Sequence, residues 1–207
     1  MKKLFIFLFF TVNILFAQDD FEGVLKFKLD FKDKTGKMPD DEIKYIMGTE
    51  QTYYLKGKKY RSSLNGAFKL TAYHEGKDTL FTKMAISNKL MYSLTNKEQE
   101  KILSHKFEKI DLKILNYECK LLVVKTNKGI HKYYYSPKLR TNPEYYKNHK
   151  YGLWHFFAEK TNGAISIKAI GDLEDSYSCI ELISVEKKSL NDDFFVKPPL
   201  EIIPTPK

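Results

Sequence analysis

The chain of 207 residues is 43% hydrophobic and 14% aromatic, and it carries a formal net charge of +9 at pH 7. This length is enough for one domain with a sizeable core, and the hydrophobic fraction excludes a disordered chain. The 14 tyrosines and 15 phenylalanines favour strands over helices.

A secretory signal peptide is predicted at residues 1–17. Lys2 and Lys3 precede an apolar run, Leu4–Phe10, that continues to Ala17, where we expect cleavage. Polar residues interrupt the run, which is shorter than the roughly 20 apolar residues of a membrane span. No cysteine near the cleavage site could carry a lipid. We therefore expect a periplasmic or secreted protein of mature net charge +7, neither a lipoprotein nor an integral membrane protein.

The first predicted elements are a half-buried strand and a short helix. Apolar and polar residues alternate from Phe21 to Lys32, which is the pattern of a strand with one wet face. Pro39 and the three acids after it are typical of the first turn of a helix, and Gly48 is a stop signal.

A meander of five short strands follows. The predicted strands cover residues 52–55, 59–64, 67–73, 79–86 and 89–94. The strongest turn signal between them is Asn65-Gly66, because a type I′ turn needs positive φ at both central positions. Further strands are predicted at 102–110, 117–125, 130–135, 153–159, 164–169 and 177–185, with a long loop or one helical turn at 136–151 and a hairpin turn at Asn162-Gly163.

These elements predict a mainly β fold, in which a curved antiparallel sheet forms an incomplete barrel with one or two short helices. We expect a single β-rich domain over residues 18–197 and a proline-rich extended tail over 198–207. The concave face is the expected place for an apolar ligand, although each candidate residue could equally belong to an ordinary core. The candidates for lining it are Phe27, Leu29, Tyr54, Leu70, Phe81, Tyr92 and Trp154.

A basic cluster marks the hairpin in YYLKGKKYRSSL, residues 53–64. The sequence predicts a turn at Gly57 and inward-facing side chains at Tyr54 and Tyr60. The cations are expected to lie in water near the end of this hairpin, where they would attract an anionic partner. They are Lys56, Lys58, Lys59 and Arg61.

The sequence contains no catalytic, phosphate-binding or dinucleotide-binding motif, so neither an enzyme nor a cofactor is predicted. His149 and His155 are close in sequence but lack a third ligand, so no metal site is predicted. Cys119 and Cys179 leave two alternatives open. Export favours a disulfide between them, and two buried thiols in neighbouring strands are the other arrangement.

The order of short motifs resembles a family of exported proteins. FEGVLKFKL near the start, YYLKGKKYRSSL, ILNYECKLLVVKT and the closing ISVEKKSLNDDFFVKPP are similar to the GLPGLI-type and DUF4412-type exported proteins of Bacteroidetes. Those proteins are similar in plan to the LolA and LolB lipoprotein carriers. The resemblance implies an incomplete antiparallel barrel, closed by helices over a hydrophobic cavity, and it implies no catalytic residues.

Two functions are therefore expected as alternatives. The first is a non-enzymatic protein that binds an apolar ligand, either an acyl chain or a lipidated peptide, inside a half-open barrel. The second is an envelope or surface interaction module whose basic face contacts an anionic glycan, lipopolysaccharide or an envelope partner protein. Export disfavours nucleic acid as a partner.

Overall fold

The computed structural model describes residues 20–206, so the predicted signal peptide lies outside the described residues. Strands account for 51% of the described residues, and helices together with 3-10 turns account for 14%, which confirms the mainly β fold. The strands are β1 Gly23–Asp33, β2 Glu50–Lys56, β3 Lys59–Leu64, β4 Thr71–Glu75, β5 Thr79–Lys83, β6 Lys89–Leu94, β7 Ile102–Glu108, β8 Lys113–Ile114, β9 Tyr117–Glu118, β10 Lys120–Thr126, β11 Gly129–Arg140, β12 Ala164–Leu173, β13 Ser176–Lys187 and β14 Glu201–Pro204. The helices are α1 Asp40–Met47 and α2 Trp154–Thr161, with 3-10 turns at Pro143–Tyr146, Tyr151–Leu153 and Asp192–Phe195.

One curved sheet contains twelve of these strands, in the order β14-β6-β5-β4-β3-β2-β1-β13-β12-β11-β10-β7. All neighbouring strands are antiparallel except β14 and β6, which are parallel, so the sheet is mixed. Within the described residues the sheet does not close into a barrel, in agreement with the predicted incomplete barrel. The small β8-β9 hairpin is separate from it.

The first half of the chain folds largely as predicted. The acidic segment after Pro39 forms α1, and Gly48 ends that helix with a φ of 83°. The predicted meander forms as β2 to β6, with the bounds of β3 and β6 as expected. Alternating apolar side chains of β1 give it a buried face, because side chains on a strand point to opposite sides in turn.

The predicted strand at 153–159 is wrong, since this segment begins helix α2. Its buried residues Leu153, Phe157, Ala158 and Thr161 are spaced as one face of a helix. Asn162 and Gly163, predicted as a hairpin turn, instead end the helix in the left-handed conformation. The aromatic content of this segment favoured a strand, but its helical spacing determines the structure.

Two segments that were predicted to lie outside the sheet belong to it. Strand β11 continues through Pro137, which was expected in a loop, and it ends at Arg140. Part of the proline-rich tail forms β14, which lies along the edge of the meander at β6. Leu90 in β6 is fully buried there, and the backbone N–H of Thr205 donates to the Tyr92 carbonyl at 3.0 Å.

The two faces of the sheet carry separate apolar clusters. The concave face holds the main core, which includes Leu25, Leu55, Tyr60 and Leu182. The opposite face holds a smaller cluster of Val24, Leu190 and Phe195, with Tyr54 and Phe194 against it. The segment after β13 therefore covers the outer face of the meander, and the concave face is left to α2 and the loop before it.

Candidate functional site

A cavity of about 640 Å³ lies between the sheet and the segment that contains α2. Side chains from both halves of the sheet form its walls. They come from the meander, from β1 and from the strands β11, β12 and β13. The aliphatic and aromatic lining residues include Leu25, Phe27, Met47, Tyr53, Leu55, Tyr60, Leu70, Leu80, Met91, Tyr133, Tyr146, Tyr151, Trp154, Phe157 and Ile180.

Small side chains in the middle of the meander leave this space unfilled. Ser62, Ala72 and Thr82 are opposite one another on β3, β4 and β5, and all three face the cavity. Tyr53 and Met91 continue the same cross-strand row at its two ends. Side chains in such a row have Cβ atoms about 5 Å apart, so three short ones in succession form a depression in the wall.

The loop before α2 brings aromatic rings against the meander. The Trp154 ring stacks on Tyr60 with 5.2 Å between centroids, and on Tyr53 with 5.9 Å. Gly152 and Leu153 both adopt left-handed φ values, of 62° and 61°, just before the helix. This turn places the tryptophan over the cavity instead of in a strand.

A hydrogen-bonded Tyr-His pair lies beside the cavity. The Tyr60 hydroxyl and the Nε2 atom of His149 share a hydrogen bond of 2.8 Å, and both residues are buried. The ring of His74 stacks on Tyr60 at 4.7 Å, and its Nδ1 donates to the Lys58 carbonyl at 2.9 Å.

Burial favours the neutral form of both imidazoles in this cluster. Burial, reinforced by His74, lowers the pKa of His149 from 6.5 to about 4. Burial also lowers the pKa of His74. Because the Nδ1 atom of His149 is buried without a partner among the described residues, a proton there would gain no acceptor.

The cavity lining is free of charge. Among the residues that line it within the described part of the chain there is no Lys, Arg, His, Asp or Glu. The lining nevertheless contains neutral polar groups. Ser93 Oγ is 3.0 Å from Thr205 Oγ1, and Ser166 donates to the Lys168 carbonyl at 3.1 Å.

Other polar groups of the lining have no partner. Within residues 20–206, the side chains of Gln51, Ser62 and Thr82 make no hydrogen bond. The hydroxyls of Tyr53 and Thr141 also lack a partner in that range, but they are enclosed within the wall. Residues 20–206 contain no cluster of three His, Cys, Asp or Glu side chains that could hold a metal.

Three predicted lining residues, Phe27, Leu70 and Trp154, do line the cavity. The prediction is wrong for Leu29, which is 4% exposed and belongs to the packed core, outside the cavity wall. It is also wrong for Tyr54, Phe81 and Tyr92, which belong to a cross-strand row on the outer face together with Arg61 and Tyr73.

The length of the hairpin turn explains the error at Tyr54. Lys56 pairs with Lys59 across a two-residue turn, so Tyr53 is opposite Ser62 and Tyr54 is opposite Arg61. A shift of one residue moves a side chain to the other face of a strand. Tyr60 faces inward as expected, and the tyrosine on the same face of β2 is Tyr53.

The predicted basic cluster is largely engaged within the protein. Lys56 and Lys59 contact the two carboxylate oxygens of Asp192 at 3.1 Å and 3.2 Å, respectively. Arg61 lies over the rings of Phe194 and Tyr73, at 4.5 Å and 5.1 Å from their centroids. Of the four predicted residues, Lys58 is the exposed one. The expectation that these cations lie in water therefore holds for Lys58, whereas Lys56, Lys59 and Arg61 also contact other groups of the protein.

Both cysteines are free thiols. Cys119 is buried between β9 and β10, and Cys179 is half-buried on β13. The strands β11 and β12 lie between β10 and β13 in the sheet, so the two cysteines are not on neighbouring strands. The disulfide is absent from the structure, and burial raises the pKa of both thiols.

Sequence reasoning missed Tyr53, Ser62 and Ala72 as wall residues. The register of β2 and β3, counted outward from the turn between them, would have shown which of their residues share the inner face. With Lys56 opposite Lys59, the pairing of Tyr53 with Ser62 follows directly. The cluster around His149 was missed because residues 60, 74 and 149 are brought together only by the tertiary fold.

No family model and no curated protein matches the chain. Among solved structures, PNGF-II in a C2 crystal form is similar to it, with 12% sequence identity and a TM-score of 0.40. The match covers 88% of this chain, which spans 31% of the length of the solved chain. Such a distant likeness carries no information on activity or ligand. No helix within residues 20–206 is long and apolar enough to cross a membrane.

Proposed function

We propose that the protein is an exported, non-enzymatic binding protein that holds an apolar ligand, either an acyl chain or the lipid of a lipidated peptide. The cavity of about 640 Å³ is the observation that carries this proposal. It falls within the range of about 300–1,000 Å³ for small-molecule sites, and its lining is mainly apolar as such sites usually are.

An apolar ligand gains free energy from a cavity of this size and lining. An acyl chain that enters it makes dispersion contacts with the wall atoms. The chain also leaves water, which contributes about 25 cal/mol for each Å² of apolar surface buried. The aromatic wall around Tyr53, Tyr60 and Trp154 offers such a surface.

The proposal includes export and a similarity to lipoprotein carriers. It rests here on the apolar stretch at residues 4–10 and on the resemblance of the short motifs to exported Bacteroidetes proteins. A curved, incomplete barrel with a helix over its concave face agrees with the plan that the resemblance implies.

The alternative, an interaction module with a basic face, has weaker support. Its central cations pair with Asp192 or stack on aromatic rings, and each of these contacts lowers their availability to an external anion. Surface ion pairs exchange readily with solvent, so Lys58 and its neighbours keep a residual attraction for anions.

The single tryptophan gives a direct test, because Trp154 lines the cavity. Titration with a fluorescent fatty acid should quench or shift the Trp154 emission and give a saturable curve. Lipid extraction and native mass spectrometry of protein purified from its own cell envelope should recover a bound lipid. Failure of both measurements would contradict the proposal.

A matched pair of variants separates the cavity from the outer face. Ser62→Phe places a ring into the cavity from β3, whereas Ser63→Phe places the same ring on the other face of that strand. We expect Ser62→Phe to weaken fatty-acid binding by at least about tenfold, or about 1.4 kcal/mol, because the ring takes up space that the acyl chain would fill. Ser63→Phe should bind like the parent protein. Equal binding by all three proteins would place the ligand elsewhere.

A further inference from the structure

A neutral polar spot lies within the apolar wall of the cavity. Ser62 is 6% exposed, its side chain faces the cavity, and no group within residues 20–206 satisfies its hydroxyl. Gln51 lies on the neighbouring strand β2 and also faces the cavity without a partner in that range. The polar atoms of both side chains are accessible from the cavity, so they can form hydrogen bonds with a molecule that enters it.

The pairing of β2 and β3 brings these two side chains close together. Ser62 is directly opposite Tyr53, and Gln51 is two residues from Tyr53 on the same face of β2. Such diagonal neighbours have Cβ atoms about 7–8 Å apart, which a glutamine side chain can span. Their amide and hydroxyl groups can both donate and accept hydrogen bonds.

The lining offers nothing to stabilise a charge. No cationic or anionic side chain lines the cavity within the described residues, and the nearby cations Lys56 and Lys59 pair with Asp192 outside it. An ionised carboxylate or phosphate inside would lose its hydration without gaining a counter-ion, which is strongly unfavourable. A neutral ester, amide or hydroxyl could instead form hydrogen bonds with the side chains of Ser62 and Gln51.

We infer that the cavity selects an uncharged amphiphile, an acyl ester or acyl amide, whose neutral polar group is bound by Ser62 and Gln51. This inference rests on the proposed function and names the class of ligand for the same cavity. A charged lipid would have to keep its head group outside, and its binding would then be independent of the Ser62 hydroxyl.

The test compares two ligands of equal chain length in competition with a hydrocarbon probe. Diphenylhexatriene makes no hydrogen bonds and reports on the apolar cavity alone. At about pH 8, where laurate is ionised, the glycerol ester of lauric acid should displace the probe about tenfold more effectively than laurate does. Equal or better displacement by laurate would overturn the inference.

The Ser62→Ala variant identifies the contact itself, with Ser63→Ala on the opposite face as its control. Ser62→Ala should weaken binding of the glycerol ester by about fivefold, because one hydrogen bond is lost. Its affinity for diphenylhexatriene and its unfolding midpoint should match those of the control, since the hydroxyl has no partner among the described residues.

The two proposals fail in different ways. If diphenylhexatriene binds but Ser62→Ala leaves the affinity for the ester unchanged, the assignment of the polar group is wrong and the apolar site stands. If neither diphenylhexatriene nor a fatty acid binds the parent protein, the proposed function itself is wrong.

Discussion

At the scale of single residues, Gly163 lies at a point of the cavity wall where two backbone segments approach each other closely. It follows α2 with a φ of 76°, and a Cβ atom added there would lie 1.9 Å from the Thr141 carbonyl oxygen. The same glycine joins two backbone hydrogen bonds, one to Ala158 at 2.7 Å and one from Thr141 at 2.8 Å. Only glycine satisfies both the conformation and the close approach.

We therefore expect Gly163→Ala to destabilise the protein strongly. The left-handed conformation alone costs a side chain about 1–2 kcal/mol, and the clash should raise the total above about 3 kcal/mol. Gly36→Ala is the matched control, because Gly36 has a φ of 73° and no atom within 4 Å of an added Cβ. Urea unfolding of both variants measures the difference. A loss at Gly163 no larger than that at Gly36 would show that the wall adapts.

His149 predicts a dependence of stability on pH. The pKa of His149 is 6.5 in the unfolded chain and about 4 in the folded protein. Between these two pH values the unfolded chain therefore binds more protons than the folded protein does. The contribution of neutral His149 to the free energy of unfolding is therefore fully present above about pH 6.5, and it is lost as the pH falls towards 4. His74, whose pKa is also lowered, contributes with the same sign.

Between about pH 7.5 and pH 5, we expect the free energy of unfolding to fall by about 2 kcal/mol because of His149 alone. Urea titrations at the two pH values measure this fall. In His149→Gln the fall should be smaller by that amount, whereas His105→Gln, at an exposed site on β7, should behave like the parent. An unchanged fall in His149→Gln would assign the acid sensitivity to other groups.

At the scale of secondary-structure elements, the sequence predicted the strands of the meander and α1 well, because alternation and turn residues are local signals. The prediction of a strand at α2 was wrong. It relied on the aromatic residues around Trp154, which favour strands, and not on the helical spacing of Leu153, Phe157 and Ala158. Among the lining residues, Phe27, Leu70 and Trp154 were anticipated. The wall row of Tyr53 and Ser62 was not, because the face of a strand depends on the register of its partner.

The last strand, β14, has a structural role that was not predicted, because its prolines indicated a tail outside the sheet. β14 adds a parallel strand to β6 and covers the edge of the meander, and Thr205 lines the cavity. Uncovered strand edges pair readily with other molecules. This element thus protects one end of the sheet and completes part of the cavity wall.

A chain that ends after Leu200 should expose the edge of β6 and the side chain of Leu90, which is fully buried in the intact protein. We expect a lower unfolding midpoint and concentration-dependent self-association, measured by urea unfolding and by light scattering. A chain that lacks only Pro206 and Lys207 is the control and should remain like the parent. A truncated chain that stays monomeric and equally stable would show that β6 needs no cover.

At the scale of the whole molecule, two strand series meet along one seam. The meander β2 to β6 and the later strands β7 and β10 to β12 are joined through β1 and β13 in the centre of the sheet. The cavity takes wall residues from both series, including Ala72 from the first and Ala169 from the second. Its shape therefore depends on the complete sheet, and neither half of the chain contains the site by itself.

The central position of β1 also has a consequence for synthesis. All eleven residues of β1 pair with β13, although about 140 residues separate the two strands along the chain. As the polypeptide emerges from the ribosome, the meander can assemble early, but one side of β1 stays unpaired until residues 176–187 have been made. Contacts between such distant segments form slowly. The nascent protein thus passes through a stage with an open central strand, during which a chaperone can hold it before the cavity exists.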